Sequence, residues 1–271
     1  MRKDFQFMKI FAEAIIIINF NLEDFKMNNE ATLEKMNMMK FYGMANAFRS
    51  GLESGIFRQL KSDELLSHFI DAEYEDRYNR KLNNLIKNAK FRYKTHFSEL
   101  SFGKNRNLDK NMMARFTDSI WITKGENIII AGATGVGKSF IACAIGHQAC
   151  INGFKVMYLN CLKLFSNLKL AKSDGSYARF IERIDRQSLL ILDDFGLQAL
   201  DQMSRLILLE ILEDRYERKS VIITSQIPVK NWHDIIGEQT IADAICDRIV
   251  HKAHKINLSG ESLRKKNIQE S

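Results

Sequence analysis

The chain has 271 residues, 45% of them hydrophobic, which is typical of a folded protein and excludes an intrinsically disordered one. Its four cysteines form no C-x-x-C pair, which argues against a zinc site and favours free thiols in a cytoplasmic protein. A net charge of +7 favours a polyanionic partner and argues against an acidic, solvating chain.

Residues 1–27 differ in character from the rest and are treated as an extension. A basic start followed by the run Ile15–Ile18 imitates a short signal peptide. The run is far shorter than the ~20 residues of a membrane span, and Asp4 and Glu13 flank it. We therefore expect no membrane segment. The abrupt change of composition also makes Met27 a candidate for the true start of the protein.

Residues 28–118 show a helical pattern throughout. Apolar side chains recur at three- and four-residue spacing, as in Leu65, Leu66, Phe69 and Ile70, and no strand-like alternation appears. The pattern predicts an all-α N-terminal domain that precedes the rest of the chain.

Basic charge is concentrated within that domain. Residues 76–115 hold eleven Lys or Arg residues against three acidic ones, with aromatic residues between them. This mixture is expected where a protein neutralises phosphates and touches bases or sugars, so we expect DNA, as a duplex, to be a partner. The alternative is a solvated helix face whose aromatic residues lie in the core. The candidate DNA-binding residues are Arg80, Lys81, Lys87, Lys90, Arg92 and Lys94.

The segment after the apolar run 128–131 fits the phosphate-loop pattern G-x-x-x-x-G-K-[ST]. Glycines allow the backbone to wrap a phosphate chain and to turn its N–H groups toward the anion. Lys138 is placed to reach the β- and γ-phosphates, and the hydroxyl of Ser139 to ligate Mg²⁺. We therefore expect ATP and Mg²⁺ as cofactors. The expected nucleotide-binding residues are Gly132, Ala133, Thr134, Gly135, Val136, Gly137, Lys138 and Ser139.

Strands and helices alternate over residues 119–271. This order predicts an α/β phosphate-loop NTPase domain with a parallel central sheet, because parallel strands need crossover helices. The expected strands are 127–131, 155–160, 188–193, 219–224 and 253–258. The expected helices are 138–151, 161–170, 176–186, 201–217 and 239–249.

Two carboxylates, Asp193 and Asp194, end the third predicted strand. Ligands gather at the carboxyl ends of parallel strands, so this pair should arrive beside the phosphate loop. We expect Asp193 to bind Mg²⁺, directly or through water, and Asp194 to orient or deprotonate the attacking water. An exposed acidic turn after a core strand is the alternative.

Two further elements have candidate catalytic roles. Thr224–Gln226 ends the fourth strand, where polar groups are placed to contact the γ-phosphate or the lytic water; turn capping before Pro228 is the competing explanation. Arg248 ends a helix, from which one subunit is able to insert it into the ATP site of a neighbour. A surface ion pair with Asp243 or Asp247 is the alternative for Arg248.

These motifs together resemble the AAA+ ATPases, and closely the IstB-like subgroup that insertion sequences encode, which is related to the DnaC helicase loader. The resemblance covers about residues 30–266. It is carried by the phosphate loop, by Asp-Asp-Phe-Gly-Leu-Gln at 193–198, and by the stretches 44–48, 213–218 and 260–264.

The resemblance implies an ATPase that oligomerises on DNA and activates or targets a transposase encoded by the same element. It also implies that Ser225, with Thr224 or Gln226, acts as the first sensor, Arg248 as the arginine finger and Arg264 as the second sensor. Asp194 departs from the pattern, since many AAA+ proteins carry Glu there. The alternatives are a DnaC-like helicase loader and a small-molecule kinase; the long basic helical domain argues against the kinase.

Overall fold

The computed structural model describes residues 28–102 and 106–263. The chain divides into two compact units, residues 1–81 and 82–271. The predicted extension 1–27 and Arg264 lie outside the described residues. Each unit is described by itself.

The described part of the first unit contains helices α1 (residues 28–38), α2 (Tyr42–Ser54) and most of α3 (Ser62–Ala89). Gly43 allows α2 and α3 to approach closely, because a Cβ atom there would lie 2.3 Å from the carbonyl oxygen of Ala72. The buried Glu73 accepts hydrogen bonds from the N–H groups of Gly43 and Met44 at 2.8 and 3.2 Å. A carboxylate on these free N–H groups stabilises the start of α2.

The second unit contains a five-stranded parallel sheet with strand order β2-β3-β4-β1-β5. The α/β fold class with a parallel central sheet that the sequence predicts is confirmed. Each strand lies within a few residues of its predicted position. The strands are β1 (Asn127–Gly132), β2 (Val156–Asn160), β3 (Leu189–Phe195), β4 (Ser220–Ser225) and β5 (Ala253–Leu258).

Helices cover both faces of this sheet, and alternate strand residues belong to two different cores. On one face, Ile128 and Ile130 pack with the helix at 138–151; on the other, Ile129 packs with the helices at 161–174, 202–215 and 239–250. Burial on both faces explains why the strands are continuously apolar. The helices are α4 (Lys110–Ala114), α5 (Ile120–Thr123), α6 (Lys138–Ile151), α7 (Cys161–Asp174), α8 (Tyr177–Asp185), α9 (Gln202–Arg215), α10 (Trp232–Ile236) and α11 (Gln239–Val250).

The second unit begins at Leu82, whereas the sequence predicts a boundary at residues 118/119. The physical reason is that apolar side chains between these positions are buried in the core of the α/β unit. Ala89, Leu100, Met113 and Phe116 are at most 6% exposed and pack in the cluster that contains α6. The basic stretch is therefore split between the two units.

Arg215 is a buried cation that ties the end of α9 to the starts of two strands. Its guanidinium donates to the carbonyl oxygens of Ile184, Gln187, Ser188 and Ser220 at 2.9 to 3.3 Å. Burial lowers its pKa to about 10. The carbonyl groups compensate for part of the cost of removing the charge from water.

The cysteines are free thiols, as the sequence predicts, and three of them are buried. Burial raises the pKa of Cys143 to about 11 and that of Cys150 to about 12, so both thiols remain protonated at neutral pH. Among the residues that the structure describes, no helix has the length and hydrophobicity needed to span a bilayer.

Candidate nucleotide-binding site

The phosphate loop connects β1 to α6 with the geometry that an anion site requires. Gly135 and Gly137 have φ angles of +87° and +92°, a region that residues with a Cβ atom rarely adopt. Gly137 is the N-cap residue of α6. The free N–H groups and the positive end of the α6 dipole therefore lie at the loop.

Lys138 is held inside the loop. Its side chain is almost fully buried, and Nζ donates to the carbonyl oxygens of Gly132 and Ala133, both at 2.8 Å. These contacts keep an ammonium group within the loop, where it complements a phosphate chain. Contact of Lys138 with the β- and γ-phosphates remains a prediction.

Asp193 is fully buried at the end of β3 and has hydrogen bonds to both carboxylate oxygens. Thr224 on β4 donates to Oδ1 at 2.6 Å, and the hydroxyl of Tyr158 on β2 donates to Oδ2. Burial, followed by the hydrogen bond to Asp193, raises the pKa of Tyr158, so this phenol remains a donor. Neighbouring strands thus fix the orientation of Asp193.

Asp194 lies where the ladder between β3 and β4 is irregular. The register shifts between Leu192 and Phe195, and Asp194 has a left-handed φ of +60°. Its N–H donates to Thr224 Oγ1 at 3.0 Å, and its Oδ2 accepts from the side-chain amide of Asn160 at 3.2 Å. A strained non-glycine residue at the end of a strand is common at functional sites, where it aims a side chain.

Arg92, predicted to contact DNA, lies beside these two carboxylates. Its Nη1 is 3.5 Å from Oδ2 of Asp193 and 3.3 Å from Oδ2 of Asp194. The side chain is 41% exposed, and the guanidinium lies 5.4 Å from the ring centroid of Tyr93. The structure therefore brings a cation of the basic stretch to the acidic end of β3.

A cavity of about 610 Å³ lies between the phosphate loop, Asp194 and Arg92, and it is large enough for a nucleotide. It is lined by the phosphate loop, the end of β3 and the segment that precedes β1. Among the lining residues are Lys138, Ser139, Asp194, Gln226, Arg92 and Arg106. Arg106 donates to the carbonyl oxygens of Ser101 and Val136, both at 2.9 Å, and thereby attaches the preceding segment to the loop.

The oxygen-rich end of the cavity fits Mg²⁺. The Ser139 hydroxyl and the Asp194 carboxylate line the cavity and are hard oxygen ligands of the kind that this ion prefers. Asp193 lies directly behind Asp194, fully buried, and does not line the cavity. Within the described residues, no group of three or more His, Cys, Asp or Glu side chains is arranged to hold a metal ion by itself.

The polar residues at the end of β4 lie in different environments. Thr224 bonds to both carboxylate residues of β3. The Ser225 hydroxyl is fully buried, donates to the Phe195 carbonyl at 2.9 Å and does not line the cavity. Gln226 lines the cavity and accepts from the Thr134 hydroxyl at 2.6 Å. The structure therefore brings Thr224 and Gln226 to the site, and not Ser225.

Arg248 lies apart from the cavity of its own chain. Its guanidinium donates to the Glu213 carboxylate on α9 and, at 2.8 Å, to the Ala244 carbonyl. The ion pair that was the alternative for Arg248 is present, but its acidic partner is Glu213 and not Asp243 or Asp247. The arginine-finger role of Arg248 and the sensor role of Arg264 remain predictions.

The other candidate DNA-binding residues differ in whether they take part in an ion pair. Arg80 pairs with Asp76 at 2.6 Å. None of the ion pairs found in the described ranges involves the four exposed lysines of this set, which are Lys81, Lys87, Lys90 and Lys94. Their contact with DNA remains a prediction.

Sequence reasoning missed several residues of the site. Tyr158 and Asn160 lie at the carboxyl end of β2, and that position was an available signal, because the carboxyl ends of parallel strands meet at one edge. Arg92 and Arg106 reach the cavity from outside the sheet. No local pattern marks such residues.

Comparison with known proteins identifies relatives over most of the chain. A family model described as IstB-like ATP binding protein matches residues 34–271. An insertion sequence ATP-binding protein of Sinorhizobium fredii is 46% identical over 240 residues, which cover 89% of this chain and 98% of that protein. The corresponding protein of insertion sequence IS1162 from Pseudomonas fluorescens is 36% identical over 203 residues, or 74% and 88% of the two chains.

Solved structures share the fold at low identity. DnaI has a TM-score of 0.52 and 19% identity, with 65% of this chain and 94% of DnaI covered. AMPPCP-bound DnaA from Aquifex aeolicus has a TM-score of 0.51 and 21% identity, with coverage of 67% and 55%. These likenesses support the AAA+ architecture described above.

Proposed function

This chain belongs to the IstB-like ATP-binding family and is an ATPase of the AAA+ type, and from that premise we propose that it is a transposition helper. In this role it assembles on duplex DNA and activates or targets the transposase of its insertion sequence. The observation that carries the proposal is the cavity in which the phosphate loop, Asp194 and Gln226 meet.

The proposed hydrolytic roles follow from the geometry of that cavity. Lys138 and the loop N–H groups bind the triphosphate, and Ser139 and Asp193 would hold Mg²⁺. When bound, this ion neutralises charge that develops on the phosphates. Asp194 orients the attacking water, and Gln226 takes the sensing role expected of Ser225, because Gln226 and not Ser225 lines the cavity.

Assembly is part of the proposal because Arg248, the predicted arginine finger, lies away from the cavity of its own chain. Arg248 does not line the cavity of its own chain and is held by Glu213, on the surface of α9 and α11. In an assembly, the Arg248 of one protomer is available to the triphosphate of the next. ATP then acts as a ligand of the assembled state, and stabilises it by its higher affinity for that state.

DNA binding is assigned to the exposed cations of the second unit. Lys87, Lys90 and Lys94 are exposed, and none of them takes part in an ion pair found in the described ranges. Release of counterions from DNA by such lysines makes the binding constant fall with salt concentration. Repetition of these lysines along an assembly would multiply the effect.

The test compares the salt dependence of duplex binding for two triple variants. Replacement of Lys87, Lys90 and Lys94 by Gln should weaken binding and reduce the slope of log K against log salt by about 0.9 for each phosphate that is no longer neutralised. The matched control replaces Lys155, Lys163 and Lys230 by Gln. These lysines are also exposed, and the control should retain the wild-type slope. Equal slopes in the two variants would refute the assignment.

The partner is tested separately by co-purification from cells that carry the insertion sequence. Recovery of the transposase in the presence of ATP supports the proposal. Recovery of a hexameric helicase without transposase would instead support a helicase loader. Loss of either partner in the Lys138→Ala variant would show that the interaction depends on the nucleotide.

A further inference from the structure

Helix α3 has an exposed face on which apolar residues follow one another at four-residue spacing. Leu66, Ile70 and Tyr74 are 61%, 50% and 71% exposed. Residues four apart are neighbours on a helix surface, so these side chains form a continuous patch. We call this patch with its two charged ends, Asp63 and Lys81, the α3 face.

The opposite side of α3 provides the internal packing of the first unit. Glu73 is buried against the start of α2, and Phe69 contacts the rings of Phe48 and Phe57. Tyr74 directly follows Glu73 and points away from this packing. The internal core of the unit therefore does not account for the apolar patch, and an exposed patch of large side chains is typical of an interaction site.

Charge along α3 is divided sharply between its two halves. Residues 62–76 contain six acidic residues and no Lys or Arg, whereas residues 77–89 contain four Lys or Arg residues and no acidic residue. The helix dipole favours this order, because acidic residues stabilise the start of a helix and basic residues its end. The division also makes α3 complementary to an antiparallel copy of itself.

The register of such a pair follows from the spacing on the α3 face. If Ile70 of one copy lies opposite Tyr74 of the other, then Asp63 lies opposite Lys81, because both pairs are centred on residue 72. A twofold axis through this point produces each contact twice. Neither Asp63 nor Lys81 takes part in an ion pair found in the described ranges, so both are available.

From these observations we propose that the α3 face is a self-association surface, on which two copies of this chain pair in antiparallel orientation. The partner is a second copy of this chain, because the α3 face has an acidic end at Asp63 and a basic end at Lys81. An antiparallel copy places its basic end opposite the acidic end of the first, and its acidic end opposite the basic one. A duplex is a poorer fit, since Asp63, Asp71 and Glu75 would repel its phosphates.

The contact is independent of nucleotide and distinct from the ATP-dependent assembly proposed above. Residues 63–81 span about 27 Å of helix, so the paired surface is small compared with a stable dimer interface. The pair therefore forms at high local concentration and adds to assembly through avidity. Lys81, predicted from the sequence to bind DNA, is thereby assigned to a protein contact.

The experiment is a charge exchange followed by sedimentation equilibrium of the full chain without nucleotide or DNA. Asp63→Lys and Lys81→Asp should each raise the dissociation constant about tenfold, because each replaces two attractive pairs by two repulsive ones. The double variant restores both pairs in reversed order and should return to within about twofold of wild type. Ile70→Glu should abolish association.

Three results would overturn the proposal: a wild-type chain that is monomeric at every concentration, a double variant as weak as the single ones, or an Ile70→Glu variant that associates normally. Circular dichroism checks that each variant is folded. Since no nucleotide is present, ATP-dependent assembly in a chain that fails this test would leave the proposed function intact.

Discussion

The guanidinium of Arg92 lies 3.3 Å from the carboxylate of Asp194, although 102 positions separate the two residues in the chain. The same nitrogen is 3.5 Å from Asp193. A divalent cation that binds these carboxylates must share their oxygen atoms with a positive side chain. Arg92 therefore opposes Mg²⁺ at the site where the proposed mechanism requires it.

Arg92→Gln should increase the affinity of the site for Mg²⁺, because it removes the competing charge. We expect the Mg²⁺ concentration needed for half-maximal binding of a fluorescent ATP analogue to fall about 3- to 10-fold, as suits a partly exposed ion pair. Lys90→Gln, which removes a nearby exposed charge, is the control. An unchanged or higher Mg²⁺ requirement would contradict the competition.

Lys138→Ala should lower the affinity for ATP by about 100-fold or more, since the variant loses the ammonium group that the loop carbonyl groups hold against the phosphates. Isothermal titration calorimetry measures the loss. Lys163→Ala on the exposed side of α7 should bind normally. Retention of wild-type affinity by Lys138→Ala would remove the basis of the site.

Asp194→Asn should separate binding from hydrolysis. Asn tolerates the left-handed backbone of this position, so the site keeps its shape, but the amide is not a base. We expect ATP affinity within about threefold of wild type and a hydrolysis rate about 100-fold lower. Phosphate release measures the rate, with the exposed Asp214→Asn as control. Normal turnover would transfer the water-activating role to another group.

Arg248→Ala should reduce hydrolysis in the assembly while ATP binding to the single chain is unchanged. A mixture of the Arg248→Ala and Lys138→Ala variants gives the decisive measurement. The Lys138→Ala protein supplies an intact Arg248 to the intact phosphate loop of the Arg248→Ala protein. Activity of the mixture should exceed that of either variant. Glu213→Gln, which removes only the partner carboxylate, should remain active. A mixture no more active than its components would exclude the trans role.

Arg215→Met should lower the free energy of unfolding by about 3 kcal/mol, because it leaves four buried or partly buried carbonyl groups without their donor. Urea unfolding followed by circular dichroism measures the change. Arg218→Met, at an exposed position three residues later, should change stability by less than about 0.5 kcal/mol. Equal midpoints for the two variants would contradict the structural role of Arg215.

The local sequence alone was sufficient to locate the parallel sheet, the phosphate loop and the pair Asp193–Asp194. Each depends on a short pattern, such as a continuous apolar run or glycines at fixed spacing, whose physical cause lies within a few residues. The strands and the helix after the loop accordingly begin and end close to their predicted positions.

Only the tertiary structure decided which polar groups enter the site. Successive side chains on a strand point to opposite faces, so the pairing of β4 with β3 determines that Thr224 bonds to Asp193 while Ser225 bonds to backbone. The burial of apolar residues between 82 and 118 likewise brings Arg92 to Asp194. Such contacts join distant parts of the chain, and no local pattern encodes which distant segment packs against which.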